Sequence, residues 1–210
     1  MKHDILIVGG GVSGTALLYT LSKYSNVKNI GLIEKYSDFG LVNSASTMNS
    51  QTLHFGDIET NYTIEKAKKV KRSADMVMKY LEDEKLKDSG DKLFEKYSKM
   101  VIAVGKQQVD VLRERYKPFS QIFPNLRMIE KEEIGKFEPR VLEGRDPNQE
   151  LLALVTEDGY TVDFGKLSHH FVKNAKKENP EISFYLNTKV SKIVKDGDSF
   201  KVTTNNGEFE

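Results

Sequence analysis

Apolar residues run unbroken from Ile5 to Val8, break at Gly9-Gly10-Gly11-Val12-Ser13-Gly14, and give way to a helical pattern over Val12–Tyr24. A second apolar run ends at Glu34, twenty positions after Gly14. The periodicities predict a strand, a glycine turn, a helix, and a strand closed by an acid. Beyond Glu34 the alternation stops. Lys35 to Tyr62 is rich in Ser, Asn, Thr and Gly, and a polar segment this long inside a compact domain is usually functional.

Helical spacing returns at Ala67, Val70, Ala74, Val77 and Leu81 behind a cap at Asn61-Tyr62-Thr63, predicting a helix over about Ile64 to Glu84. Its Lys66, Lys68, Lys69, Lys71, Arg72 run reads as a solvated face, with a basic membrane-facing patch as the second reading. Phe94–Tyr97 and Met100–Val104 read as strands, Gln107–Tyr116 as a helix, and Pro118–Phe123 as a connector. A short helix within Met128–Phe137 stops at Glu138-Pro139, because a residue before proline avoids the helical region. Leu151–Glu157 reads as a strand, and Asp158 to Asp163 lead into a helix over Phe164–Lys177. Three strand patterns follow, Ile182–Asn187, Lys189–Lys195 and Phe200–Thr204, with turns at Asp196-Gly197-Asp198 and Asn205-Asn206-Gly207. Asn206-Gly207 signals a hairpin, yet three residues leave no room for a returning strand. An exposed sheet edge is therefore expected there, and the chain reads as the N-terminal part of something longer.

The Gly9-x-Gly11-x-x-Gly14 spacing carries chemistry. It permits a tight turn, close approach of a pyrophosphate, and close packing of helix on strand. The pyrophosphate would lie at the helix N-terminus, where free N–H groups and the helix dipole favour an anion. Glu34 would accept hydrogen bonds from the adenosine ribose. The competing reading is a purely structural glycine turn. Lys2 and His3 before an apolar stretch mimic a targeting signal, but Asp4 and the glycines interrupt it and no small-residue cleavage site follows. A nicotinamide-binding domain would continue with helix–strand units in close order. The polar loop, helix and strand-rich insert found instead favour FAD, whose ring needs walls from distant segments.

Composition narrows the picture by exclusion. A net charge of +1 with 30% charged residues gives no drive toward nucleic acid. No run approaches the roughly eighteen apolar residues of a membrane span. The absence of cysteine removes disulfides, thiolate metal sites and a cysteine nucleophile, and fits a reducing interior. Four histidines, two of them adjacent, form no metal-ligand pattern. No internal repeat is present.

Phe184 to Ile193 resembles a strand of FAD-dependent oxidoreductases of the D-amino-acid-oxidase type, in which the position of Val190 contacts the adenine through its backbone. Asp158-Gly159 to Val162-Asp163 and the following helix resemble the segment before it. Within that superfamily, Asn49-Ser50-Gln51-Thr52-Leu53-His54, Glu59-Thr60-Asn61-Tyr62-Thr63 and Val162 to Leu167 resemble malate:quinone oxidoreductases. The likeness covers the whole chain but only about the N-terminal half of such an enzyme. Many members carry Asn-Ala-Gly-Thr-Gly-His where this chain has Asn49 to His54, so Gln51 and Leu53 replace glycines.

The resemblance implies an α/β class: a Rossmann-like FAD-binding domain with the βαβ dinucleotide fold, plus part of an α+β substrate domain. Residues 1–62 and 158–210 would form the FAD-binding domain, incomplete at its C-terminal end, and 63–157 an insert of the substrate domain. It implies oxidation of malate to oxaloacetate in the tricarboxylic acid cycle, electrons passing to quinone, and a cytoplasmic enzyme peripheral to the inner face of the membrane. The expected cofactor-binding residues are Gly9, Gly11, Val12, Ser13, Gly14, Glu34, Lys35, Ser50, Gln51, Thr52 and Val190. Ser50, Gln51 and Thr52 have two readings, as flavin donors or as partners of loop backbone. His54 is the candidate catalytic residue, with a structural hydrogen-bonding role as the alternative; His169 and His170 read as surface or packing residues. Arginines suit two carboxylates, but nothing in the spacing of Arg72, Arg113, Arg115, Arg127, Arg140 and Arg145 selects one. Related reactions stay open, on another 2-hydroxy or amino acid such as 2-hydroxyglutarate or glycine. So do a nicotinamide-dependent dehydrogenase and a dinucleotide-binding fragment without turnover.

Overall fold

The computed structural model describes residues 1–84, 86 and 93–210. The chain opens with β1 (Ile5–Val8), α1 (Val12–Tyr24) and β2 (Ile30–Ile33). Then come α2 (Ile64–Asp83), β3 (Phe94–Val104), α3 (Lys106–Phe119), β4 (Arg127–Glu130), α4 (Lys131–Phe137) and β5 (Leu151–Val162). It closes with α5 (Phe164–Glu178), β6 (Ser183–Tyr185), β7 (Val190–Asp196), β8 (Ser199–Thr204) and β9 (Gly207–Phe209). Two compact units result: Met1–Gln51 with Val162–Glu210, and Thr52–Thr161 between them in sequence. The sequence-based boundaries at 62/63 and 157/158 differ from these. Extended backbone at Thr52–Leu53 pairs with Tyr160–Thr161, so both strands of that pair belong to the second unit.

In the first unit β1, β2 and β6 form a parallel sheet in that order. All four residues of β2 are buried, as suits a central strand covered on both faces. A parallel pair needs a crossover connection, and α1 supplies it between β1 and β2. Leu18, Tyr19 and Ser22 of α1 are buried and pack toward Leu167, Phe171 and Ala175 of α5, with the Tyr19 and Phe171 rings 5.7 Å apart. The second sheet of this unit is β7-β8-β9. Val202 and Phe209 from it join Ile33 in one apolar cluster, with Leu6, Tyr185 and Val190 packed against it.

The second unit carries a sheet in the order β3-β5-β4. β5 is central, and Leu151 to Thr156 are all buried. Its core gathers Ile129, Ile134, Leu151, Ala153 and Val155. Thr63 caps α2 by accepting from the Lys66 N–H at 3.2 Å, and Ala67, Ala74 and Leu81 turn inward as the periodicity required. Lys66, Lys68, Lys69 and Arg72 lie exposed. Among the described residues no helix is long and apolar enough to cross a membrane.

Three expectations need correction. A returning strand does exist after Asn206-Gly207. β9 pairs antiparallel with β8, Val202 opposite Phe209, and its far edge is covered because Glu210 exchanges backbone hydrogen bonds with Met1 and His3. Three residues suffice because Phe209, 2% exposed, is buried against Tyr185 with ring centroids 4.7 Å apart. The strand read as ending at Glu157 runs on to Val162, so Asp158 and Gly159 lie within β5, where pairing with a partner strand outweighs their low strand propensity. Lastly, α3 runs through Pro118 to Phe119 although the proline forfeits one i→i−4 hydrogen bond, and Phe119 at its end is buried, 3% exposed.

Candidate functional site

In the first unit the chain leaves β1 at Gly9, whose φ of 106° lies in the left-handed region open to glycine. The Gly9 N–H donates to Ile33 O at 2.8 Å, which holds the turn to the end of β2. A Cβ on Gly14 would overlap the Gly9 carbonyl oxygen, so the first turn of α1 comes this close to the strand only because Gly14 has no side chain. Gly11 is the N-cap and carries no capping side chain, so it satisfies none of the orphan N–H groups of the first helical turn itself.

Glu34 follows β2 and is 9% exposed. Its Oε2 accepts from the Gly10 N–H at 2.6 Å and its Oε1 from the Tyr36 N–H at 3.0 Å. The carboxylate thus points into the glycine turn. The backbone of Glu34 is fixed in turn, its N–H donating to Tyr185 O and its carbonyl accepting from the Thr188 N–H, both at 2.9 Å. Val190 starts β7 and packs beside Ile33. Ser13 and Lys35 are exposed, Lys35 with its Nζ 4.7 Å from the Tyr36 ring centroid.

Ser44 escaped the sequence reading. Its buried hydroxyl accepts from the Val12 N–H at 2.9 Å, supplying from the polar loop the cap that Gly11 lacks. Its neighbourhood, a run of hydroxyl and amide side chains, was the available signal. Asn49 and Gln51 knit that loop together: Asn49 donates to Asn43 O and Ala45 O, and Gln51 Nε2 to Ser46 O at 3.1 Å. Gln51 takes φ 55°, a conformation glycine adopts more cheaply, and the loop bonds hold it there. Ser50 is exposed.

These features fit an ADP moiety: a glycine turn free of side chains, a helix N-terminus facing that turn, and a carboxylate poised beside it. Glu34→Ala removes a buried acceptor from two N–H groups as well as the ribose partner. Hydrogen bonds to charged groups are worth about 1.5–3 kcal/mol, so FAD binding by the holoprotein is expected to weaken about 10- to 100-fold. Unchanged flavin content would count against the site.

In the second unit Thr52 bridges to Thr161, and the Leu53 N–H donates to Tyr160 O at 2.9 Å. Leu53 and Phe55 are buried while His54 between them is exposed, the alternation of an extended segment. His54 Nδ1 lies 2.7 Å from Glu59 Oε1. Arg115 clamps the same loop from α3, donating from Nη1 to Tyr62 O at 2.7 Å and from Nη2 to Glu59 O. Burial pushes the Arg115 guanidinium below its usual pKa, and the nearby Glu59 carboxylate opposes this. Asp57 in that loop forms a buried ion pair with Lys99 of β3 at 2.7 Å. Glu59 and this pair were also missed, and Arg115 was not singled out among the arginines, because partners distant in sequence carry no periodic signal.

Several of the remaining candidates have other partners. His169 lies 3.7 Å from Asp38 and edge-on to Phe39; His170 lies 3.4 Å from Asn174. Arg113 and Arg127 pair with Glu130 and Glu133, and Arg145 donates to Val141 O and Gln149. No cluster of metal-ligating side chains occurs among the described residues.

Comparison with known proteins agrees with this geometry. The family model for malate:quinone oxidoreductase matches residues 1–210. A probable malate:quinone oxidoreductase of Campylobacter jejuni is 41% identical over 212 residues, covering 98% of this chain and 47% of the relative. The malate:quinone oxidoreductase of Helicobacter pylori is 40% identical over 212 residues, covering 99% and 46%. The chain therefore spans about half the length of the curated relatives it matches. Among solved structures, glycine oxidase from Geobacillus kaustophilus superposes with a TM-score of 0.76 at 20% identity, covering 99% of this chain and 53% of that one. FAD-bound, dithionite-reduced L-α-glycerophosphate oxidase from Mycoplasma pneumoniae gives 0.68 at 24%, covering 100% and 52%. At these identities the likeness establishes the fold, an α/β architecture shared with these oxidoreductases.

Proposed function

The chain belongs to the malate:quinone oxidoreductase family, and from that premise we propose that it supplies the FAD-holding part of an enzyme that oxidises malate to oxaloacetate and passes the electrons to quinone. The observation that carries this reading is the Glu34 carboxylate closed on the Gly10 N–H at the head of α1. Gly11, Val12, Ser13 and Gly14 would receive the diphosphate, Glu34 and Lys35 the ribose side, and the Val190 backbone the adenine. Ser50, Gln51 and Thr52 would serve the flavin end. Bound flavin supplies the acceptor for the hydride that leaves C2 of malate. His54 would take the proton of the 2-hydroxyl. Transfer to quinone implies contact with the membrane that carries it, and we place the enzyme peripherally at the inner face of the cytoplasmic membrane, on the family's reaction alone.

ADP is the direct probe. Titration calorimetry is expected to register ADP binding to the 210-residue chain and none to Gly11→Val. The 210 residues alone are expected to give little or no malate-dependent quinone reduction, because they match only about half of each relative. The holoenzyme is expected to bleach its flavin absorbance with malate but not with 2-hydroxyglutarate or glycine. Bleaching by one of those acids instead of malate would replace the substrate; robust turnover by the 210 residues alone would refute the part-enzyme reading.

A further inference from the structure

We propose that Glu59 is a positioning residue that fixes the tautomer of His54, leaving His54 Nε2 as the acceptor for the 2-hydroxyl proton of malate. The inference deepens the function proposed above and rests on it for the identity of the substrate. An ionised carboxylate can only accept, so at 2.7 Å from Glu59 Oε1 the hydrogen resides on His54 Nδ1. In the neutral ring the lone pair is then on Nε2. Exposure divides the pair usefully: the His54 side chain is 53% exposed and that of Glu59 13%. The orienting carboxylate is sheltered while the imidazole is largely open.

An exposed histidine–carboxylate pair on mobile chain contributes little; here the loop is held at each side. Leu53 is bonded to Tyr160 and buried, Phe55 is buried, and Asp57 is locked to Lys99. Gly56, at φ 88°, lies so close to Ala67 of α2 that a Cβ there would stand 2.9 Å from the Ala67 Cα. Arg115 holds the carbonyls of Glu59 and Tyr62. Glu59 Oε2 and Arg115 Nε are both buried without a partner. That cost is explained if the carboxylate is kept for His54 rather than paired with the guanidinium beside it. With a bound flavin as the acceptor of the C2–H electron pair, the 2-hydroxyl proton would pass to Nε2 and the C–O bond would become a carbonyl.

Nitrogen-15 NMR of the His54 imidazole in the 210-residue chain tests the dyad without turnover. The neutral ring is expected as the Nδ1–H tautomer, with a mixture of both tautomers in Glu59→Gln. In the holoenzyme, His54→Gln is expected to lose about 10²- to 10⁴-fold in kcat, the usual share of a general base. Glu59→Gln is expected to lose about 10- to 100-fold in kcat, as orienting partners generally do, with malate KM and flavin content unchanged. An Nε2–H tautomer in the wild type overturns the proposal, and so does wild-type kcat in Glu59→Gln. Loss of flavin in proportion to activity would also overturn it, by marking Glu59 as structural. Should Glu59→Gln fail to fold, the wild-type tautomer still decides. If malate is not the substrate, the bleaching panel reports that separately and the NMR result stands.

Discussion

Gly14→Ala is expected to destabilise the first unit by about 2 kcal/mol or more and to abolish ADP binding, whereas Gly11→Val abolishes binding at little cost in stability. The contrast follows from what each new side chain meets. At Gly14 the Cβ overlaps the backbone oxygen of Gly9, with Ile7 Cγ2 at 3.4 Å behind it, and no rotamer change relieves a clash with backbone. Overpacking of this kind costs about 1–3 kcal/mol and occasionally more. Alanine's better helix propensity returns only about 1 kcal/mol. α1 must therefore move off β1, and the turn that would hold the diphosphate opens with it. A fall in melting temperature of about 4–8 °C is expected for a chain of this size. At Gly11 the Cβ meets nothing nearer than Ser44 Oγ at 3.3 Å, and φ −75° suits any residue. Replacing this N-cap costs about 1 kcal/mol or less, while the valine methyls fill the space a diphosphate needs. Equal stability loss in the two variants, by urea unfolding, would contradict this division of labour.

Lys99→Met is expected to cost about 3–5 kcal/mol, since it leaves the Asp57 carboxylate buried without a counter-charge. The two side chains are 6% and 3% exposed, and Lys99 Nζ also lies 5.2 Å from the Phe55 ring centroid. Asp57→Leu combined with Lys99→Met is expected to recover most of the loss, because an apolar replacement of a buried pair is often neutral or better. The double variant separates the pair's structural role from its effect on the loop. Asp57 lies between His54 and Glu59 in sequence, so Lys99→Met should also blur the His54 tautomer. A stability change below about 1 kcal/mol in Lys99→Met, the range of exposed pairs, would remove the pair as the anchor of this loop.

Much of the first unit was legible because its signals are local. A residue's φ preference, the apolar run of a central strand and the spacing of glycines act within a few positions, so β1, α1 and the place of Glu34 after β2 were readable in order. The same locality stopped the fifth strand at Glu157 and, although the hairpin signal at Asn206-Gly207 was right, left no room for its returning strand. There the deciding energies were a long ladder in β5 and the burial of Phe209 against Tyr185. Gln51 departs from the glycine expected by resemblance yet keeps a left-handed backbone, an outcome set by bonds to Asn49 and Ser46.

By itself the sequence carried the family resemblance in its motifs, and it determined the βαβ opening and the place of Glu34 after β2, because backbone preference and hydrophobic period are properties of neighbouring residues. Tertiary structure alone decided that Ser44 caps α1, that Asp57 is neutralised by Lys99, that Arg115 carries the carbonyls of Glu59 and Tyr62, and that Glu59 turns to His54. Those pairings depend on which side chains the closed loop leaves within bonding distance once water is excluded, and buried charges and donors accept no other solution.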